Sequence, residues 1–172
     1  MTDLRRYIRD VPDFPTPGIL FRDITPLLAS GEAFSQAVRD MAEPFRGAGL
    51  GKVLGIEARG FMFGAAVARE LNVGFVPARK SGKLPRESVR VSYGLEYGRD
   101  SLEVHADAFA PGERVLIADD VLATGGTARA AAELVERLQA SVLGLTFLLE
   151  LGKLEGKRLL EGRRIHSVLM LE

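Results

Sequence analysis

From Lys52 onward, short apolar runs alternate with stretches whose apolar residues recur three and four positions apart. That is the pattern of strands followed by helices. Val53–Ile56 predicts a strand that stops at Glu57, and Phe61–Leu71 predicts a helix stopped by Asn72 and Gly74. Phe75–Ala78, Val115–Ala118, Val142–Leu149 and Ile165–Leu171 predict further strands. Ala131, Leu134, Val135 and Leu138 mark a helix ahead of Val142. Val89, Val91 and Tyr93 alternate with polar residues, as do Leu102, Val104 and Ala106, which predicts a hairpin turning through Tyr97–Asp100. The fold class that follows is α/β: an open parallel sheet flanked by helices, with an inserted antiparallel hairpin loop.

The N-terminal third has a different texture. Leu4, Tyr7, Ile8 and Val11 share one helical face behind a Thr2 cap. Three prolines between Pro12 and Pro17 then break the helix and hold the chain extended. Phe34, Ala37, Val38, Met41, Ala42 and Phe45 predict a firm amphipathic helix that Pro44 ends or kinks.

At 172 residues the chain is expected to form one domain. The 23 Lys+Arg balance 23 Asp+Glu, against the basic excess that nucleic acid as main partner would demand. With no cysteine there is no disulfide scaffold, zinc–thiolate site or thiol nucleophile. The longest apolar runs fall far short of the ~18 residues of a membrane span. The charged MTDLRRYIRD start lacks a signal peptide's apolar core. No membrane association and a cytoplasmic location are expected.

The chemistry concentrates in Val115–Thr127, VLIADDVLATGGT. A buried strand delivers Asp119 and Asp120 at its carboxyl end, where open α/β sheets bind ligands. Ala123 and Thr124 follow, and Gly125, Gly126 and Thr127 open a helix whose N–H groups and dipole suit a phosphate. The acidic pair can accept from two vicinal sugar hydroxyls, so the stretch is shaped for a ribose 5-phosphate. A side chain at Gly126 is expected to fill the phosphate's space. It is neither a P-loop, lacking the Lys-Ser/Thr, nor a dinucleotide fingerprint. Any single residue here reads sooner as a strand-end cap or an ordinary turn than as a ligand site; the combination reverses that.

This segment resembles the signature of the type I phosphoribosyltransferases. PDFPTPGILFRDITPLL (Pro12–Leu28), EARGFMFG (Glu57–Gly64), RKSGKLP (Arg79–Pro85) and SYGLEYG (Ser92–Gly98) are similar, in order and spacing, to the adenine-using members of that family. One departure is Glu57-Ala58 in place of an Asp-Ser pair. The resemblance implies adenine attacking phosphoribosyl pyrophosphate to give AMP and pyrophosphate in purine salvage. It also implies a homodimer, with Mg2+ carried mainly by the pyrophosphate and no metal ligand set of the protein's own. Residues 1–30 become a base-binding segment, with Phe21 stacking on the purine and Leu20 and Arg22 meeting its edge. Read alone, Phe21 is plain core, in a stretch whose backbone is free of regular structure. Arg59, Arg79, Lys80 and Lys83 become pyrophosphate ligands, although all but Arg59 read singly as solvated charges. The Glu57–Gly60 turn is expected to carry a cis peptide.

Residues 78–98 become a mobile catalytic loop with few apolar anchors. Its Glu96 exchanges a proton with the base; without the match Glu96 is a hairpin-tip charge. Glu96, Asp119 and Asp120 are the expected catalytic residues. Glu103 reads as structural, and His105 and His166 as ordinary.

Overall fold

The computed structural model describes residues 2–95 and 98–172. In chain order its elements are β1 (Arg9–Val11), β2 (Phe21–Asp23), α1 (Thr25–Ala29), α2 (Gly31–Ala42), β3 (Lys52–Ile56), α3 (Gly60–Leu71) and β4 (Gly74–Lys80). Then come β5 (Ser88–Leu95), β6 (Gly98–His105), β7 (Arg114–Leu122), α4 (Gly126–Arg137), β8 (Ser141–Leu151) and β9 (Ile165–Leu171). The main sheet runs β5-β6-β4-β3-β7-β8-β9. Strands β4, β3, β7, β8 and β9 are parallel, and the β5–β6 hairpin joins antiparallel to β4. The predicted α/β sheet with one inserted hairpin is what the chain forms.

Neighbouring residues of the central strands feed opposite cores, which is why these strands read as unbroken apolar runs. Val53 and Leu116 pack with α2 and α3, whereas Leu54 and Ile117 pack with α4 and the hairpin. Ser30 caps α2 by accepting from Ala33 N at 3.3 Å. Pro44 ends that helix by opening a 3-10 turn over Glu43–Phe45. Asn72, left-handed at φ +55°, stops α3. From β3 the chain moves to β4 on one side and returns as β7 on the other. The carboxyl ends of β3 and β7 therefore flank the switch point of the sheet, where a ligand crevice opens.

Three sequence expectations need correction. The first helix is a single 3-10 turn, Leu4–Tyr7, capped by Asp3 and not by Thr2, and Arg9–Val11 is a strand. The proline-rich stretch is not irregular throughout. Its prolines sit in the connection of a small antiparallel pair, β1–β2, in which Asp10 faces Arg22 and Val11 faces Phe21. Gly98–Asp100, expected as part of the hairpin turn, belong to β6, which begins at Gly98.

Candidate active site

The site is built where two strands end side by side. After β3 the chain makes a sharp turn through Glu57, Ala58 and Arg59 into α3, with a cis Glu57–Ala58 bond as the resemblance implies. Glycine is required at position 60: an added Cβ would lie 2.5 Å from Asp119 Oδ1 and 3.1 Å from the Ala118 carbonyl. The turn is thus packed directly on the end of β7. Glu57 Oε2 accepts from Lys80 N at 2.9 Å and from Arg79 Nε at 3.3 Å, and Oε1 is bonded by Lys83 Nζ. Burial pushes the Glu57 carboxyl up, but the bonds from Lys83 and Lys80 N outweigh it and hold the group below its ordinary value.

Asp119 and Asp120 leave β7 on opposite faces, as strand neighbours must. Asp120 is buried, with Oδ2 at 2.8 Å from Arg59 Nε. That oxygen has no aligned donor, so Arg59 compensates it as a charge and not through a hydrogen bond. Asp119 Oδ1 accepts from Asp120 N at 2.9 Å. Enclosure by protein raises the Asp119 carboxyl well above its ordinary value, and the Asp120 charge adds to it. Enclosure raises Asp120 too, with Arg59 opposing. Beyond the pair, Gly125 adopts φ +85° and caps α4. Asp119, Ala123, Thr124, Gly125 and Thr127 line a small hollow of about 70 Å³, suited to one compact anion. Gly126 opens α4 beside the hollow: a Cβ there would meet Tyr93 and the Gly94 carbonyl of the hairpin at 3.8 Å and Thr124 Oγ1, which lines the hollow, at 4.0 Å.

The hollow opens into a larger cavity of about 440 Å³, and Asp119, Val121, Ala123 and Thr127 border both. Leu20, Phe21 and Arg22 form its far wall. The Phe21 ring has the Arg59 guanidinium 5.2 Å from its centroid and meets Phe14 in a T-shaped pair with centroids 5.1 Å apart. Phe21 is therefore no core residue; it is half-buried at the cavity. Arg22 is bonded by Asp10 and reaches the Glu172 carbonyl at 3.1 Å. Its strand pairing consumes part of the backbone that was expected to be free.

Of the four predicted cations, Arg59 and Lys80 border the cavity; Arg79 and Lys83 stand behind it on Glu57. Lys80 is held by Asp100 and donates to Tyr93 Oη at 2.9 Å. Each cation thus already faces a carboxylate. Sequence reasoning missed Lys80's partner and the bordering Val121 and Leu151. Glu96 lies outside the described residues. Glu103 is buried and accepts from Ser81 Oγ at 3.0 Å, Gly82 N at 3.1 Å and Arg90 Nε at 2.6 Å, a structural clasp. His166 Nε2 bonds the Asp40 carbonyl at 2.9 Å, and His105 borders a separate hollow beside Pro77 and Arg86.

The phosphoribosyl transferase domain model matches residues 28–161 of the chain. An adenine phosphoribosyltransferase of Carboxydothermus hydrogenoformans is 57% identical over 166 residues, 96% of this chain and 98% of that one. Among solved structures, the adenine phosphoribosyltransferase of Rhodothermus marinus superposes with a TM-score of 0.93 at 53% identity, covering 98% and 96% of the two chains. The enzyme of Saccharomyces cerevisiae, complexed with an imino-altritol bisphosphate and adenine, gives 0.90 at 38% identity, covering 97% of both.

Proposed function

The chain belongs to the phosphoribosyl transferase family, and we infer from that premise that it transfers the phosphoribosyl group of phosphoribosyl pyrophosphate to adenine. The bond from the anomeric carbon to pyrophosphate breaks, and a ring nitrogen of adenine bonds to that carbon and gives up its proton. AMP and pyrophosphate leave, and the purine is salvaged. One observation carries the reading. The acidic pair, the anion hollow of the Ala123–Thr127 loop and the Phe21 wall meet in a single cavity at the switch point of the sheet.

In this reading the 5′-phosphate sits in the hollow, on Ala123, Thr124, Gly125, Gly126 and Thr127. Asp119 and Asp120 accept from the ribose hydroxyls and favour the positive charge that develops on the ring. Adenine lies on Phe21, with Leu20 and Arg22 at its edge. Arg59, Arg79, Lys80 and Lys83 take the pyrophosphate; because each is paired with a carboxylate beforehand, pyrophosphate competes with Glu57, Asp100 and Asp120 for them. Glu96 takes the purine's proton, a role that rests on the family resemblance.

The donor set suits Mg2+ brought by the substrate. Asp119 and Asp120 offer hard oxygens, and Asp120 Oδ2 lacks an aligned donor. Among the described residues no three His, Cys, Asp or Glu side chains converge to hold an ion alone. Asp119 and Asp120 would help to hold an ion carried mainly by the phosphate oxygens of the substrate, and it would neutralise charge on the leaving pyrophosphate. We also propose a homodimer that works in the cytoplasm. Among the described residues no helix is long and apolar enough to cross a membrane.

The test is purified protein with magnesium and phosphoribosyl pyrophosphate, offered each purine in turn. AMP formed from adenine, with little nucleotide from hypoxanthine, guanine or xanthine, is the expected result. Nucleotide from those bases and none from adenine would overturn the base assignment.

A further inference from the structure

The phosphate loop is braced from behind by a turn that no motif of the sequence singles out. Between β8 and β9 the chain crosses over without an α-helix, through 3-10 turns at Gly152–Leu154 and Gly156–Leu160. Glu155, left-handed at φ +51°, swings the second turn inward. Gly156 and Leu160 are its buried residues, whereas Lys157, Arg158 and Leu159 are exposed. Leu160 anchors the turn in the core under α4. Lys157 Nζ ties it to buried Glu150 of β8 at 2.8 Å, and Glu150 lies beside Leu122, one residue before the phosphate loop.

Backbone meets backbone at the point of contact. A Cβ on Gly156 would stand 2.2 Å from the Ala123 carbonyl oxygen and 3.0 Å from Gly125 N. A Cβ on Gly125 would stand 2.3 Å from the Gly156 carbonyl oxygen. Real Cβ atoms do not tolerate such distances, and neither neighbour is a flexible side chain that can swing away. Glycine on both sides is the condition for the two segments to touch at all.

We propose that Gly156 is a positioning residue for the transfer: its backbone fixes the Ala123–Gly125 loop so that the loop's N–H groups stay aimed at the 5′-phosphate. The proposal rests on the reading of that loop as the phosphate cradle. An anion site made of backbone donors loses affinity when its donors are misaimed, so the supporting shell matters as much as the loop. Gly156 touches no substrate atom and acts through the loop alone.

Gly156→Ala tests this. The methyl group must push Ala123–Gly125 toward the hollow or force the turn away from it. Calorimetric Kd values for AMP and ribose 5-phosphate should rise roughly tenfold to a hundredfold, the worth of one or two charge-assisted hydrogen bonds. The KM for phosphoribosyl pyrophosphate should rise with them, while the KM for adenine and kcat at saturation change little. A merely structural role would lower Tm and the folded fraction and leave the AMP Kd of the folded protein where it was; that result would overturn the proposal. Should Gly156→Ala fail to fold, Lys157→Met releases the turn without filling space. There a few-fold weakening of AMP is expected, on the scale of one partly exposed ion pair. Unchanged AMP affinity in that variant would likewise overturn the proposal. Wild-type protein is the control for the underlying reading. If it binds no AMP, the cradle assignment fails; if it binds AMP and the variants bind it equally, only the bracing role of Gly156 fails.

Discussion

Asp119 and Asp120 are held at the end of β7 in an environment that disfavours their charge, and Glu57, which borders the same cavity, in one that favours it. The signs of their contributions to stability are opposite. Glu57 titrates below its ordinary value in the fold, so its contribution is present above the unfolded pKa and is lost as pH falls through the folded one. The Asp119 and Asp120 carboxyls are raised, so the native state is favoured while they are protonated. That advantage is lost as pH rises from the unfolded pKa through the folded one, leaving a cost at neutral pH. The double variant Asp119→Asn, Asp120→Asn should therefore melt at or above the wild-type Tm at neutral pH. Arg59, left without its partner, is exposed enough for water to compensate it. Turnover should fall by at least about 10²–10³, because charge stabilisation of the developing cation is gone. Calorimetry and a steady-state assay on one preparation check both halves, and wild-type turnover would sink the assignment. These two residues were legible in the sequence because the whole loop is contiguous. The clasp of Glu57 on Arg79 and Lys83 was not, since its partners stand 22 and 26 positions away.

At the scale of elements, the central strands were legible because burial on both faces leaves apolar runs that nothing else explains. β1 and β2 were not. Each is three residues long and none of their residues is fully buried, so no alternation could form. The crossover turns at residues 152–160 lack periodicity for the same reason. The 78–98 segment is the instructive case. Its charge and glycine content suggested few apolar anchors, yet Val91 and Tyr93 of β5 are buried in the same core as α4. Residues 81–87 are tied down mainly by polar bonds: Ser81 and Gly82 to Glu103, Lys83 to Glu57, Arg86 to Asp107, the Lys83 carbonyl to Arg79 Nη1 and the Glu87 carbonyl to Ala106 N. In the proposed reading substrate competes for the bonds made by Lys83 and Arg79, which makes this stretch the part that responds to pyrophosphate. With phosphoribosyl pyrophosphate and magnesium present, tryptic cleavage between Lys80 and Arg90 should slow as the segment closes over the substrate; equal rates with and without substrate would defeat that closure. Glu96→Gln, in the same segment, should lose about 10²–10⁴ in turnover with adenine KM little changed, the worth of one acid–base group.

At the scale of the molecule, α3 is too apolar for the position it holds. Phe63, Val67 and Ala68 fill the core, but Met62 is 40% exposed and Ala65 is open to water, with Phe61 and Ala66 only half covered. Phe61 meets half-buried Phe75 edge-on at 6.0 Å, which extends the apolar surface onto the start of β4. A helix that is apolar on nearly every side is the mark of one enclosed on every side. The sheet and α2 cover α3 on two sides and leave the Met62 face open, and the proposed homodimer would cover that face with a second copy. Such a two-fold contact would also brace the Arg59–Gly60 turn from which α3 starts, linking assembly to the geometry of the acidic pair. Sedimentation at micromolar concentration should give twice the 18.7 kDa chain mass. Met62→Glu places a charge at the centre of the patch without touching the core below it, and burying an unpaired carboxylate in an interface costs several kcal/mol, about the magnitude that separates dimer from monomer at such concentrations. That variant should sediment as a monomer with its Tm lowered. A wild-type protein that already runs at 18.7 kDa would leave the apolar face of α3 without the partner assigned to it here.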